Sequence, residues 1–572
     1  MARSASAGHR RSRAVATEYV TLDRRACEAC GRCVEACPND VLRMIKVGPH
    51  RHAKIAAAES CTGCLACVRG CEAGAVTRLA TSGNGRHAAA RGNAVPMDDL
   101  LHLTAARAIR YLRQLPERNV APEPGALAAL ERFDELLPEH PDDPERVIAL
   151  LDEAGSPATM ATAGPRFFGF VIGGSQPVTV AAAWLASAWD QNAGAYTASP
   201  VAAVLEQVAQ RWLIELFGLP DTTVAGFVTG GTMANMTALA AARHSVLAQV
   251  GWDVDAQGLI GAPPVTVIVG DEVHPSLLKG LGLLGLGRER VHRVEADGQG
   301  RMRADRLPPI SGPTILCTQA GNVNTGAFDP VEELTAQAHE AGAWVHVDGA
   351  FGLWAAVAPE RAQLVRGIGT ADSWATDAHK WLNVPYDSGL AFVRDPEPLR
   401  AAMGVTAAYL PDSMMREPAA HAPELSRRAR GVEVWAALRA LGRSGLADLV
   451  ERDCRHAAAF ARGLAAAGYE ILNDVVLNQV LVSFGDEDTT RRVVAAIKED
   501  GTCWAGITVW QGRTAMRISV SGWSTTDEDV ERSLAAMLRV AALQTAGTQS
   551  AQSGSTMNSG PSEAQDGGGQ GG

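Results

Sequence analysis

Two kinds of residue pattern in this chain could do chemistry. The first is CEACGRCVEACP, Cys27 to Pro38, whose cysteines are spaced C-x2-C-x2-C-x3-C. It recurs at an offset of 34, as Cys61, Cys64, Cys67 and Cys71. Triple hooks with a trailing fourth thiolate suit iron–sulfur ligation, whereas zinc sites bring paired C-x2-C hooks separated by a longer span. A cluster whose every iron has a cysteine ligand offers no open position to a substrate, so it carries electrons or braces the fold. Eight of the eleven cysteines fall between Cys27 and Cys71. The opening MARSASAGHRRSRAVATEY is basic but has no apolar h-region, so metal binding is expected over disulfides, in a cytoplasmic protein.

The second pattern is a set of four segments, each at the end of a strand-like run. DAHKW offers Lys380, although a single lysine there reads first as a solvated surface residue. HVDGA ends an apolar run on Asp348, a carboxylate that must find a cation or a metal. TGGTMANMTAL is a glycine turn opening a helix, where free N–H groups and the helix dipole favour a phosphate. DEVHPS supplies His274. Jointly they describe a pyridoxal phosphate site: a lysine for the Schiff base, an aspartate for the pyridine nitrogen and a helix N-terminus for the phosphate.

The elements that must position these groups are legible as alternating β-branched runs and helical patterns. TVAGFVTG, VTVIVGDEV, PTILCTQAG, AWVHVDGAF, SWATDAHKW and GLAFVRD read as strands, and PVEELTAQAHEAG as a helix between two of them. That alternation predicts an α/β fold with a largely parallel sheet, whose ligands sit at the strands' carboxyl ends. After about residue 400 come long amphipathic helices, strands NQVLVSFG and AMRISVSG, and a helix opened by a capping box of Thr525 and Glu528. This is a smaller α+β domain. GLGLLG, Gly280 to Gly285, fits a dinucleotide pattern but lies inside a helix with no strand directly before it, and so reads as close helix packing.

At 572 residues, with 47% apolar and 20% charged composition, several soluble domains are expected and no run is long enough to span a membrane. Residues 1–90 carry 14 Lys+Arg against 7 Asp+Glu, or +7; the remaining 38 against 56 give −18, together the overall −11. Either two domains of different origin are joined, or the basic module docks on an acidic surface. The surplus is too small, and too poor in aromatic residues, for nucleic acid. The expected divisions are a basic tail (1–16), a cluster domain (17–80), a linker (81–97), a helical segment (98–160), a large domain (161–400), a small domain with a catalytic loop (401–544) and a disordered tail (545–572).

The cysteine runs resemble the bacterial two-cluster ferredoxin family. That resemblance implies a small ferredoxin-like α+β domain holding two [4Fe-4S] clusters, with the fourth cysteine of each run ligating the other cluster. Cys27, Cys30, Cys33 and Cys71 would then hold one cluster, and Cys61, Cys64, Cys67 and Cys37 the other. Glu72 departs from the proline expected after the second run. The body, from PRFFGF and ASPVAAVLE through HVDGAFG and HKW, resembles the pyridoxal-dependent (group II) amino-acid decarboxylases, the group of glutamate, tyrosine and aromatic amino-acid decarboxylases. This implies a fold type I, transferase-like large domain and a homodimer whose sites lie across the subunit interface.

The resemblance also implies residue roles. Lys380 should tether the cofactor, Asp348 pair with its pyridine nitrogen, and His274 stack on its ring. Gly230, Gly231 and Thr232 should hold the phosphate. Asp377 and His379 should line the phosphate and ring side, with Ala350 beneath the ring. Asn322 stands where relatives often have threonine, and Phe168 and Phe170 fall in the substrate-pocket segment. The implied reaction turns an L-amino acid into its amine and carbon dioxide. Relatives return the proton from a loop tyrosine; here Tyr409 lies too early, which leaves His421 or a water. Two other readings stand beside it: an oxidative deaminase giving an aldehyde, and a cofactor-bound scaffold for an electron carrier. Decarboxylation is redox-neutral, so the clusters point first to a separate redox partner.

Overall fold

The β-branched runs between residues 224 and 393 form one seven-stranded sheet. In chain order these are β1 Val224–Val228, β2 Thr266–Gly270, β3 His292–Val294, β4 Thr314–Gln319, β5 Trp344–Asp348, β6 Ser373–Asp377 and β7 Gly389–Val393. Their spatial order is β1-β7-β6-β5-β4-β2-β3, and every pairing is parallel except that β7 runs against both β1 and β6. The largely parallel sheet expected from the alternation is therefore present. β3 was not legible, because VHRV is a short and half-exposed edge strand without a clear period.

Both faces of the sheet are covered, which is why its strands read as nearly continuous apolar runs. Ile268, Leu316, Val345, Val347, Leu390 and Phe392 point into one core; Val267, Val269, Ile315, Cys317, Ala391 and Val393 point into the other. Five helices matter for the site: α1 Pro200–Phe217, α2 Gly231–Ala248, α3 Pro275–Leu283, α4 Val331–Glu340 and α5 Gly431–Ala466. Helix α1 starts where Ser199 accepts from Ala202 N and Pro200 pre-sets the first turn. Gly280 lies within α3, where a Cβ would come 3.4 Å from Met236 N of α2, so GLGLLG does serve close helix packing.

The structure is a computed structural model and describes residues 15–17, 19–23, 26–47, 50–62, 64–78, 97–404 and 416–555. Residues 1–14, the linker residues 81–96, Tyr409 and residues 556–572 lie outside the described residues. The chain divides into two compact units, Met1–Glu117 with Pro122–Thr159, and Arg118–Ala121 with Met160–Gly572. The helical segment 98–160 thus falls largely in the first unit, with the cluster domain.

In that first unit Val15–Ala16, Val20–Leu22 and Val76–Arg78 make an antiparallel sheet, and Leu42–Val47 with His50–Ile55 a hairpin. One-turn helices Arg32–Glu35 and Ala66–Arg69 each follow a residue of positive φ, Gly31 and Leu65. Glu72, in place of the expected proline, forms an ion pair with Arg32 of the other repeat. Tyr19 packs edge-on against His102 of helix Met97–Gln114.

In the second unit a smaller five-stranded sheet holds Glu470–Ile471, Gln479–Ser483, Arg513–Ser519, Trp504–Trp510 and Phe167–Phe168 in that order. FFGF is therefore divided: Phe168 is buried against Phe460 in the small core, while Phe170 is 60% exposed. Residues 167–168 belong to the small sheet, because Phe167 and Phe168 pair with Trp504 and Ala505. The last helix, Asp527–Ser555, continues past Thr545, where the expected disordered tail was to begin. Its capping box lies one residue later than expected. The buried Thr525 hydroxyl donates instead to Pro165 O, so Thr526 and Asp529 exchange the capping bonds. Among the described residues no helix is long and apolar enough to cross a membrane.

Beneath β1 lies a buried charge cluster in which Glu206 of α1 pairs with Arg427 at 2.8 Å and Arg416 at 3.6 Å, and Arg427 also donates to Ala193 O and Phe227 O. Breaking a buried cluster by removing one member is costly. Arg427→Ala should lose about 3 kcal/mol or more of stability, read as a lower denaturant midpoint. Adding Glu206→Gln should recover none of that loss, because it takes the carboxylate from Arg416 as well.

Candidate active site

The carboxyl ends of β1, β2, β4, β5 and β6 converge on one locus, and the sequence-read groups lie there. Lys380 follows β6, and its Nζ is 2.9 Å from Oδ2 of Asp377, the last residue of β6. His379 Nε2 lies 3.6 Å from Asp377 Oδ1. Asp377 is 2% exposed, and its Oδ1 has no hydrogen-bond partner among the described residues. A Cβ on Gly231, at the start of α2, would come 2.9 Å from Asp377 Oδ2. Helix α2 has no side-chain cap, so its first N–H groups are left for a ligand. Gly389 of β7 allows this turn to sit close, since a Cβ there would be 2.5 Å from Gly230 Cα. Thr232 occupies the first turn of α2.

Asp348 ends β5, 4% exposed, and accepts from Asn235 Nδ2 at 3.0 Å and Ala350 N at 3.2 Å. A cavity bounded by His274, Leu277, Cys317, Gln319 and Asp348 opens beside it. His274 caps α3: its Nδ1 accepts from Ser276 N at 3.2 Å. The ring proton therefore sits on Nε2. Burial is the largest influence on His274 and lowers its pKa, Asp348 opposes this, and Lys380 and Arg517 add to it. The imidazole is neutral at the ordinary working pH.

Not every predicted residue is used this way. Asn322 is buried and occupied with its own turn: its Oδ1 accepts from Asn324 N and Thr325 N, and its Nδ2 donates to Gln319 Oε1. His421 lies beneath β1, its Nδ1 donating to Glu417 O at 3.0 Å. Burial lowers its pKa to about 3, with Arg416, Arg400 and Arg427 adding to the effect. Its electrostatic surroundings are arginines, not Lys380 and its carboxylates.

Three features were missed. Asn235, His346 and Ser373 stand in a hydrogen-bonded line behind Asp348. Asn235 was visible four residues after Gly231, one helical turn on and so on the same face. Tyr386, 55% exposed, stacks on His379 at 4.2 Å. Arg517, on the small sheet, bears on His274; its Nη1 donates to Asn324 Oδ1 at 3.3 Å and its Nε is buried without a partner among the described residues. Nothing local in AMRISVSG announces that placement.

The eight cysteines of the first unit are all free, with Cys33 and Cys67 buried. Burial raises the Cys33 pKa, and Cys71, Cys27 and Cys30 raise it further. Cys67 is pushed up to about 12 by burial and then by Cys37, Cys64 and Cys61. Each of these two sets thus draws its fourth member from the other sequence run. Crowded sulfur donors without a hard ligand among them suit soft, cationic iron–sulfur centres.

The comparisons agree with this chemistry. The "Pyridoxal-dependent decarboxylase conserved domain" matches residues 124–485, and a "4Fe-4S dicluster domain" matches residues 26–76. The chain is 28% identical over 347 residues to an aromatic-L-amino-acid decarboxylase of Bacillus atrophaeus, spanning 58% of this chain and 70% of that protein. It is 29% identical over 308 residues to an acidic amino acid decarboxylase of Bos taurus, spanning 51% of this chain but only 58% of the bovine protein's length. A crystal structure of Oryza sativa TDC with PLP and tryptamine superposes with a TM-score of 0.72 at 21% identity, covering 78% of this chain and 98% of that one. At that identity the superposition establishes the fold.

Histidines held neutral tie stability to pH. His421 and His346 both have folded pKa values near 3 against an ordinary 6.5. Below 6.5 the unfolded chain takes up protons that the folded chain refuses. Stability therefore falls as pH drops through that window, by up to about 1.4 kcal/mol per pH unit for each group. His421→Gln should show a shallower loss than the parent between about pH 6.5 and pH 5 in denaturant titrations. The buried acid Asp453, raised to about 8, pulls the other way, so the difference between the two proteins is the quantity to compare.

Proposed function

Because this chain belongs to the pyridoxal-dependent decarboxylase family, we propose that it removes the α-carboxyl group of an L-amino acid as carbon dioxide and releases the amine. The observation that carries this reading is the pairing of Lys380 with buried Asp377 beside an uncapped glycine turn, with buried Asp348 at the next strand end. The residues fit pyridoxal phosphate: Lys380 would supply the tethering amine, the N-terminus of α2 with Gly230, Gly231 and Thr232 would receive the phosphate, and Asp348 would face the pyridine nitrogen. When bound, the coenzyme supplies an electron sink for cleavage of a bond at the substrate's Cα.

The chain's own groups do the rest. Asp348, which accepts from Asn235 and Ala350, would hold a proton at the pyridine nitrogen. His274 would stack against the ring without adding positive charge, and His379 and Ala350 would complete the wall around it. Arg517, a half-buried cation whose Nε lacks a partner among the described residues, would take a carboxylate of the substrate. Tyr386, stacked on His379, would return a proton to the substrate's Cα; this role suits it better than His421, which burial and three arginines keep without a spare proton.

In the first unit, we assign two [4Fe-4S] clusters to Cys27, Cys30, Cys33 and Cys71, and to Cys61, Cys64, Cys67 and Cys37. They exchange electrons with a separate redox partner, since decarboxylation takes none. A homodimer is supported by large apolar side chains left in solvent, among them Leu136 at 93% and Leu137 at 92% exposure. We place the protein in the cytoplasm.

Lys380→Ala should remove the coenzyme's visible absorption and lower turnover by about 10³-fold or more. Evolved carbon dioxide and amine should match one to one; an aldehyde with peroxide in their place would refute decarboxylation as the reaction. Tyr386→Phe should slow turnover about 10²-fold while His421→Ala retains it, and the opposite order would reverse the assignment. Purified chain should hold about eight iron atoms, and Cys71→Ser should lose about half of them.

A further inference from the structure

Behind Asp348 lies a line of side chains that neither tethering nor phosphate binding uses. Trp344 Nε1 is 2.8 Å from Ser373 Oγ, and Ser373 Oγ is 2.9 Å from His346 Nδ1. His346 Nε2 is 2.9 Å from Asn235 Oδ1, and Asn235 Nδ2 is 3.0 Å from Asp348 Oδ2. The line crosses β5, β6 and α2. Ser373, His346 and Asn235 are each 0% exposed, so bulk water does not absorb a misdirected donor.

Both ends of the line fix its direction. An indole N–H only donates, so Ser373 Oγ accepts it and turns its own proton to His346 Nδ1. His346 then carries its ring proton on Nε2 and gives it to Asn235 Oδ1, which leaves the amide NH2 for Asp348. From the other end, a carboxylate only accepts, and this demands the same order. The reverse order needs a proton on Asp348, a flipped Asn235 and a proton on His346 Nδ1. It would leave the Ser373 hydroxyl as a buried donor without an acceptor, an arrangement proteins avoid.

We propose that Trp344, Ser373, His346 and Asn235 form a one-way donor line that presents an amide N–H to Asp348 and aims its carboxylate at the place the coenzyme's pyridine nitrogen would take. They are positioning residues, and the proposal rests on the role given to Asp348 above. Ala350 N from the turn after β5, His274 from the start of α3 and Cys317 from β4 also bear on Asp348, and the cations Lys380 and Arg517, with Asp377, act on His274 beside it. His274 is lowered by burial and the Cys317 thiol is raised by it, so both are neutral. The direct donors to Asp348 are therefore the neutral N–H groups of Asn235 and Ala350.

The test uses the full chain and pyridoxal phosphate. Ser373→Ala removes the second link, and Ser373→Thr keeps the hydroxyl. The parent and Ser373→Thr should bind the coenzyme equally and share one pH midpoint for its visible band. Ser373→Ala should bind about tenfold more weakly, with a midpoint moved by about one pH unit. Selective 15N-histidine NMR should find His346, assigned by its loss in His346→Gln, as the Nε2–H tautomer from about pH 5 to pH 9. An Nδ1–H tautomer, or parental affinity and midpoint in Ser373→Ala, would overturn the line. A parent chain that bound no pyridoxal phosphate would defeat the functional reading instead, while the tautomer still decided the line.

Discussion

A carboxylate taken out of water has to be answered by donors or cations within reach, and this molecule carries two such carboxylates to adjacent strand ends. Asp348 and Asp377 close β5 and β6, 4% and 2% exposed. Their needs differ because their neighbours differ. Asp377 meets the Lys380 ammonium and the mouth of an uncapped helix, a place of positive potential. Asp348 meets only neutral N–H donors, and one of its sides opens on a cavity. One carboxylate is thus met by a charge and the other by neutral donors.

The parallel sheet makes this arrangement possible. Parallel strands end at the same edge, so residues far apart in sequence, from Gly230 to Lys380, arrive at one rim. Strand β7 runs the other way, and its Gly389 is small enough to let the Gly230 turn close over the rim. The small sheet contributes at longer range: Arg517 bears on His274 from a strand some 240 residues further along the chain, and Phe167–Phe168 tie the start of the body into that same sheet.

The cluster module obeys a related rule with softer atoms. Thiols crowded by burial and by one another resist ionisation, as the upward shifts of Cys33 and Cys67 express; a cationic iron–sulfur core reverses that cost. The two runs bear on each other as well, Cys71 on Cys33 and Cys37 on Cys67.

Much of this was legible in the chain itself. Ligand chemistry follows from residue type and short spacing, so the cysteine runs, HVDGA, TGG and HKW could be read directly, and the alternation of β-branched runs with helical patterns gave the sheet away. What short spacing could not reach was any partner brought from another element. The capping box moved by one residue because Thr525 found Pro165 across the fold. Asn322 turned out to be spent on its own turn, and His421 to be enclosed by arginines. Sequence determined which atoms could react and where strands and helices would lie, since both depend on local chemistry and local periodicity. Only the tertiary structure decided which donor answers each buried charge, because that depends on distances through space between residues the chain keeps far apart.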